Sequence, residues 1–142
     1  MSDWLIDLWV PGEPKSQGSM RHVGNGRMVH NPEMVKWRDW MTESLWAWVG
    51  TYFGAWEPLD EPVEVHAKFY LPRPGKPRLE HAATGLDLDK LQRCLGDALE
   101  QSGVLKNDAR IVRWNNPEKD WTHDFTGDGS MPGVRIKVRK MQ

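Results

Sequence analysis

The sequence is short of several things that would fix a class at once. It has one cysteine, Cys94, in 142 residues, so neither an intrachain disulfide nor a cysteine-built zinc cluster can form. No apolar run approaches the roughly 18 residues that a membrane-spanning helix needs. The opening stretch "MSDWLIDLWVPGEP" carries aspartates and lacks the basic start and long apolar segment of a secretory leader. The expectation is a soluble, cytoplasmic protein. A formal net charge of −1 is far from the strong basic excess of many nucleic-acid binders, although opposed local patches cancel in such a sum. Phosphate-loop and dinucleotide-binding glycine motifs are missing, so no nucleotide cofactor is expected. The histidines His22, His30, His66, His81 and His123 show no metal-ligand spacing.

What is present describes a folded chain. Hydrophobic residues make up 39% and charged residues 27%, the balance of a globular protein rather than a disordered one. A chain of this length buries roughly two thirds of its unfolded surface, enough for one core, and residues 1–142 are read as a single domain. The nine tryptophans are the outlier. Core or interface packing accounts for most of them, and Trp37, Trp46 and Trp48 are assigned to the core or to a dimer surface.

Trp4 to Val10 is rich in strand formers and stops at Pro11-Gly12. A Gly/Pro-rich polar stretch to Pro32 follows, with a tight hairpin turn at Asn25-Gly26. Asn31 and Pro32 are an N-cap and a first helical residue. The helix they open runs to about Trp48 or Val49, with Met34, Trp37, Met41, Leu45 and Trp48 on one face. Glu61 to Pro72 alternates as a half-buried strand, and Pro72 to Gly85 is a Pro-rich, basic surface loop. A second helix spans about Leu88 to Gln101. Strands follow around Arg110 to Trp114 and over "GVRIKVRKM". The order β-hairpin-α-β-α-β-β is an α+β fold: a small, mainly antiparallel or mixed sheet with two principal helices.

The chemistry concentrates in "TGLDLDKLQRCLGDALEQSGVLKNDARIV", Thr84 to Val112. Leu91, Leu95, Ala98 and Leu99 form an apolar stripe with Cys94 beside it. Asp89, Arg93 and Asp97, four apart, share the opposite face. Asp87 would be costly to bury on the apolar side, so it precedes or caps the helix. An i, i+4 ion-pair ladder on a solvated face is one account of these charges, at a few tenths of a kcal/mol per pair. The other is convergence. A short turn and a strand follow the helix, and that fold-back brings Asp108 towards it. Carboxylates meeting there would need a cation, and hard oxygen ligands favour Mg²⁺ or Mn²⁺ over Zn²⁺. Such a centre suits phosphodiester chemistry.

"LDLDKLQRCLGDALEQSGVLKNDARIV" resembles the signature of the RusA family of Holliday-junction resolvases. That signature runs approximately D-x-D-N/K-L-x-K/R-x-x-x-D-A-L, then a glycine-containing turn, then D-D-x-x-V/I. "PGEPKSQGSMR", the "GRMV" hairpin and a tryptophan-containing helix are similar to phage-borne members. The resemblance implies a RusA-like fold and a homodimeric endodeoxyribonuclease of the bacterial or phage-infected cytoplasm. It implies Mg²⁺-dependent, paired symmetric nicks in four-way DNA junctions. Asp87, Asp89 and Asp108 match the family's metal-binding, catalytic carboxylates. Arg93 matches the position of a catalytic lysine, and Asp97 a supporting acidic position. Arginine keeps the charge but cannot give up a proton, which leaves Arg93 a phosphate-binding role. Asn107 stands where the family has the first acid of a pair, so Asp108 is taken as the ligand. Alternatives are a nuclease for flaps or forks, or a catalytically silent junction-binding protein. Lys15, Arg21, Arg27, Arg73, Lys76 and Arg78 are candidate contacts to DNA phosphates. Arg135, Lys137 and Arg139 share one strand face, for DNA or as the polar side of an edge strand.

Overall fold

Asn31 and Pro32 open the first helix for the reasons their chemistry gives. Asn31 is extended, and its side-chain oxygen accepts from the Glu33 amide at 2.8 Å. Pro32 lacks the amide that would have gone unpaired there. A computed structural model describes residues 3–16, 20–22, 28–52 and 54–141. Of 20–22 and 28–30 it describes the backbone alone. In chain order the elements are β1 (Ile6–Pro11), β2 (Met20–His22), β3 (Met28–His30), α1 (Pro32–Gly50), β4 (Val63–Leu71), α2 (Leu88–Gln101), β5 (Ile111–Trp121) and β6 (Gly133–Lys140). A single 3-10 turn, Asp108–Arg110, leads into β5.

The four-stranded sheet has the order β1-β6-β4-β5. Strand β6 is antiparallel to both β1 and β4, whereas β4 and β5 run parallel. A parallel pair requires a crossover, and α2 provides it. The sheet is therefore mixed, within the expected α+β class. Strands β2 and β3 form a separate antiparallel ribbon, and the expected turn at Asn25-Gly26 lies outside the described residues.

Both helices pack on one side of the sheet. The α1 stripe of Met34, Trp37, Met41, Leu45 and Val49 and the α2 stripe of Leu91, Cys94, Leu95, Ala98 and Leu99 share one core. They meet Val63, Val65, Ala67 and Phe69 of β4 and Val134, Ile136 and Val138 of β6. Burial in this core pushes the Cys94 thiol up to about 12, so it stays protonated and inert.

Strand β5 departs from the sequence reading. It continues past Trp114 to Trp121, through an Asn-Pro pair that looks like a loop. Asn116 has a φ of +44°, and the pairing with β4 slips register beside it. Strand β5 lies at the edge of the sheet, where one side has no partner and a proline without an amide costs little.

Candidate active site

A groove of about 330 Å³ runs between α2 and β5, lined by Asp89, Gln92, Arg93, Gly96, Asp108, Ile111 and Trp114. Its making follows from helix geometry. Residues 89, 92, 93 and 96 fall on one flank of α2, and that flank faces the edge strand. At Gly96 the facing segment comes within ordinary contact: a methyl group there would lie 4.0 Å from both Asp108 Cβ and Ile111 Cδ1.

Asp108 is held by a set of local contacts. Asn107 is extended, and its Oδ1 accepts from the Ala109 amide at 2.8 Å, capping the 3-10 turn that presents Asp108. The Asp108 amide donates to Glu100 Oε1 at 2.9 Å. A segment from beyond α1 then closes on this turn. The Leu59 amide donates to the Val104 carbonyl at 2.9 Å, and the Lys106 amide donates to the Leu59 carbonyl at 2.9 Å. Asp60 accepts from Arg110 Nε at 2.9 Å and lies 3.5 Å from Lys106 Nζ. The Arg110 bond, more than any other contact, holds the Asp60 carboxyl below its usual range. At the other end of the groove, Lys119 Nζ donates to the Leu86 carbonyl at 2.7 Å, fixing the entry to α2.

The candidate residues divide. Asp89, Arg93 and Asp108 line one groove, and among the described residues their side chains have no ion-pair or hydrogen-bond partner. The i, i+4 ladder that would have explained Asp89 and Arg93 blandly is therefore not made. Asp97 turns instead to α1, with Arg38 Nη1 3.9 Å away, a tie between the two helices. Asp87 occupies the N-cap position of α2 without a side-chain capping bond, 3.4 Å from Lys90, and does not line the groove.

The expected convergence of Asp87, Asp89 and Asp108 is not what one chain displays. Among the described residues, no three histidine, cysteine or carboxylate side chains stand close enough to share a metal ion. The reason is helical rise. Asp108 lies level with Gly96, and Asp89 is seven residues earlier, about 10 Å along the axis at 1.5 Å per residue. Asp87 is further still. The donors suit a hard cation in kind, being carboxylates without a thiolate or imidazole among them. In number they supply two, unless Asp87 leaves Lys90.

The basic candidates also separate. Lys15 pairs with Glu13 at 3.1 Å and Glu33 at 3.4 Å. Partial burial pulls its pKa down, but these two carboxylates raise it overall. Arg73, Lys76 and Arg78 are exposed on the loop between β4 and α2, with no side-chain ion pair among the described residues. The Arg21 side chain and all of Arg27 lie outside the described residues. On the helix-free face of the sheet, Arg135 binds Asp128 through two bonds of 2.6 and 2.8 Å and reaches Asp7 at 3.1 Å. Arg139 donates to Glu64, reaches Asp3 at 2.9 Å and lies 4.2 Å over the Trp4 ring. Lys137 remains there without a described partner.

Sequence reasoning missed four residues that line the groove, Gln92, Gly96, Ile111 and Trp114; Gln92 and Gly96 were open to detection, one helical turn from Asp89 and Arg93. Asn107, read as a lost acid, is a cap. No curated protein matches this chain. A family model does: the one for Endodeoxyribonuclease RusA matches residues 11–139. Because that match spans nearly all of the 142 residues, this chain belongs to the RusA family of Holliday-junction-resolving endodeoxyribonucleases.

Proposed function

We propose that the groove between α2 and β5 binds the scissile phosphate of a four-way DNA junction and that the chain acts there as a Mg²⁺-dependent, homodimeric nickase. The observation that carries this is the set of uncommitted charges: Asp89, Arg93 and Asp108 line one cleft without described partners. Charges left unpaired in a cleft are the ones available to a ligand. RusA-type resolvases are generally divalent-metal dependent, and a carboxylate set of this kind accepts Mg²⁺ or Mn²⁺.

Asp89 and Asp108 line the groove and would hold the metal between them, provided both side chains reach inward across the roughly 10 Å of helical rise that separates them. Asp87 joins them only by leaving Lys90, an exposed pair of the sort worth about 0–1 kcal/mol. When bound, the metal supplies a polarised phosphate and an activated water. Arg93 contributes fixed positive charge for the phosphate oxygens. It cannot serve as a proton donor or acceptor, because a guanidinium stays protonated. Asn107 keeps Asp108 aimed into the groove, and Asp97 with Arg38 keeps α2 seated on α1. Exposed Arg73, Lys76 and Arg78 would address the junction backbone. A two-fold dimer matches the two-fold symmetry of the junction and accounts for paired nicks. The setting is the cytoplasm.

The test is cleavage of a synthetic four-way junction with and without Mg²⁺, beside flap and fork substrates. The wild type is expected to nick opposed strands of the junction only when Mg²⁺ is present. Asp89→Asn is expected to bind the junction and leave it uncut. Full activity of that variant would remove Asp89 from the mechanism, and preferred cutting of flaps or forks would replace the substrate.

A further inference from the structure

Three tryptophans make neither a ring contact nor an indole hydrogen bond among the described residues: Trp37 in the core, Trp46 out on the exposed surface of α1, and Trp114, which alone of the three lines the groove. Trp40, Trp56 and Trp121 each donate the indole N–H to a carbonyl, of Pro11 at 2.6 Å, Val104 at 3.3 Å and Leu79 at 3.2 Å. Trp9 meets Tyr70 edge-on, Trp48 meets Tyr52 and Trp56, and Trp4 lies under Arg139. Trp37 is buried. Trp114 is half-buried, yet among the described residues it makes neither a ring contact nor an indole hydrogen bond. Its position is nevertheless fixed. It pairs with Val65 in the sheet, two residues before the irregularity at Asn116, and packs against the core. The rest of it faces the groove, in the company of Asp89, Arg93 and Asp108.

A rigid aromatic surface beside a cation and two carboxylates asks for a ligand that is part flat ring and part phosphate. An inorganic anion would use Arg93 and leave the indole idle. An apolar molecule would have no use for the charges. A nucleotide within a DNA strand uses both. We propose that Trp114 is a base-stacking residue of the groove, taking the nucleobase next to the phosphate addressed by Asp89, Arg93 and Asp108. The stack sets the register of the strand in the groove, and so which phosphate is presented. It rests on the reading of this groove as the nicking site.

The test uses Trp114→Phe, which keeps a ring, and Trp114→Leu, which keeps apolar bulk without one. Thermal unfolding first establishes that each variant folds. Junctions carry 2-aminopurine on either side of the cut, and binding is followed without Mg²⁺. The wild type and Trp114→Phe are expected to alter the probe's emission at one flanking position, and Trp114→Leu to lose that change. With Mg²⁺, kcat/KM for Trp114→Leu is expected to fall about tenfold to a hundredfold, the range for losing one base stack, with cuts spread over neighbouring phosphates. Trp114→Phe should recover most of this loss. Should Trp114→Leu keep the probe signal, the rate and the cut position while Asp89→Asn is inactive, the stacking role is overturned and the site stands. Should Asp89→Asn also cut normally, the site itself is overturned.

Discussion

The helix-free face of the sheet and the groove beside α2 are both dense with charge, and they differ in how much of that charge is already paired. On the sheet face, Glu64, only 3% exposed, accepts from Arg139 and from Asn115 at 3.1 Å, with Arg113 3.6 Å away. Lys68 lies 3.2 Å from Glu118, and Arg135 is claimed by Asp128 and Asp7. Those cations neutralise their own neighbours. In the groove the count is smaller, and Asp89, Arg93 and Asp108 have no such neighbours among the described residues. Counting basic residues points to the sheet face, where Lys137 alone of those named lacks a described partner, whereas asking where several unpaired charges of both signs meet points to the groove.

This contrast can be broken from either side. The largest effect is expected in the groove: Asp108→Asn should slow nicking about a thousandfold, roughly 4 kcal/mol in the barrier. Because Asp108 is uncommitted, Tm should not fall. A large loss of stability would mean that its carboxylate is structural. On the sheet face the signs reverse. Glu64→Gln should lower Tm and leave nicking by the folded protein unchanged. The Arg139 bond, followed by that from Asn115, holds the Glu64 pKa below its ordinary 4.5. A depressed folded pKa gives stability that is complete above the unfolded value and is lost as pH falls through the folded one. The Tm gap between wild type and Glu64→Gln should thus be widest near neutral pH and close below about pH 4. A gap independent of pH would remove the ion pair as its cause.

Smaller effects sharpen the comparison. Asn107→Ala should cost about 1 kcal/mol, the usual value of a lost cap, and slow nicking several-fold by loosening Asp108. Asn107→Asp should preserve both, since aspartate caps equally well, and a loss of stability in that variant would count against the capping role. Gly96→Ala should fold normally, its methyl group meeting Asp108 and Ile111 at an ordinary 4.0 Å. The larger Gly96→Leu should close the groove and reduce junction cleavage. The smallest difference is expected from two lysine and arginine changes read by the salt dependence of junction binding. Arg73→Gln should lower the slope by about 1, the loss of one phosphate contact, and Lys137→Gln should leave it unchanged.

Much of this was legible from residues alone, where one physical rule acts locally. Asn31-Pro32 announced α1, and the spacing of Leu91, Leu95, Ala98 and Leu99 oriented α2. The placement of Asp87 at the start of α2 followed from the cost of burying it. What escaped depends on neighbours distant in sequence. Pro117 reads as a strand breaker unless β5 is known to lie at an edge. Arg135 and Arg139 look available until Asp128, Glu64 and Asp3 are brought beside them. The spread of the acids along α2 needed the height at which Asp108 returns, and nothing in "SGVLKND" states it. Trp114 carries no signal in its own stretch. It matters because of the helix that lies across from it.

The bridge between Leu59 and Leu105 has a practical consequence for reading variants. It clasps a stretch more than forty residues upstream onto the very bend that displays Asp108, as a buckle holds the end of a belt. An insertion between α1 and β4, remote from every acid, would slacken that bend and pass for a chemical lesion. Restoring the buckle rather than the acids would be the remedy.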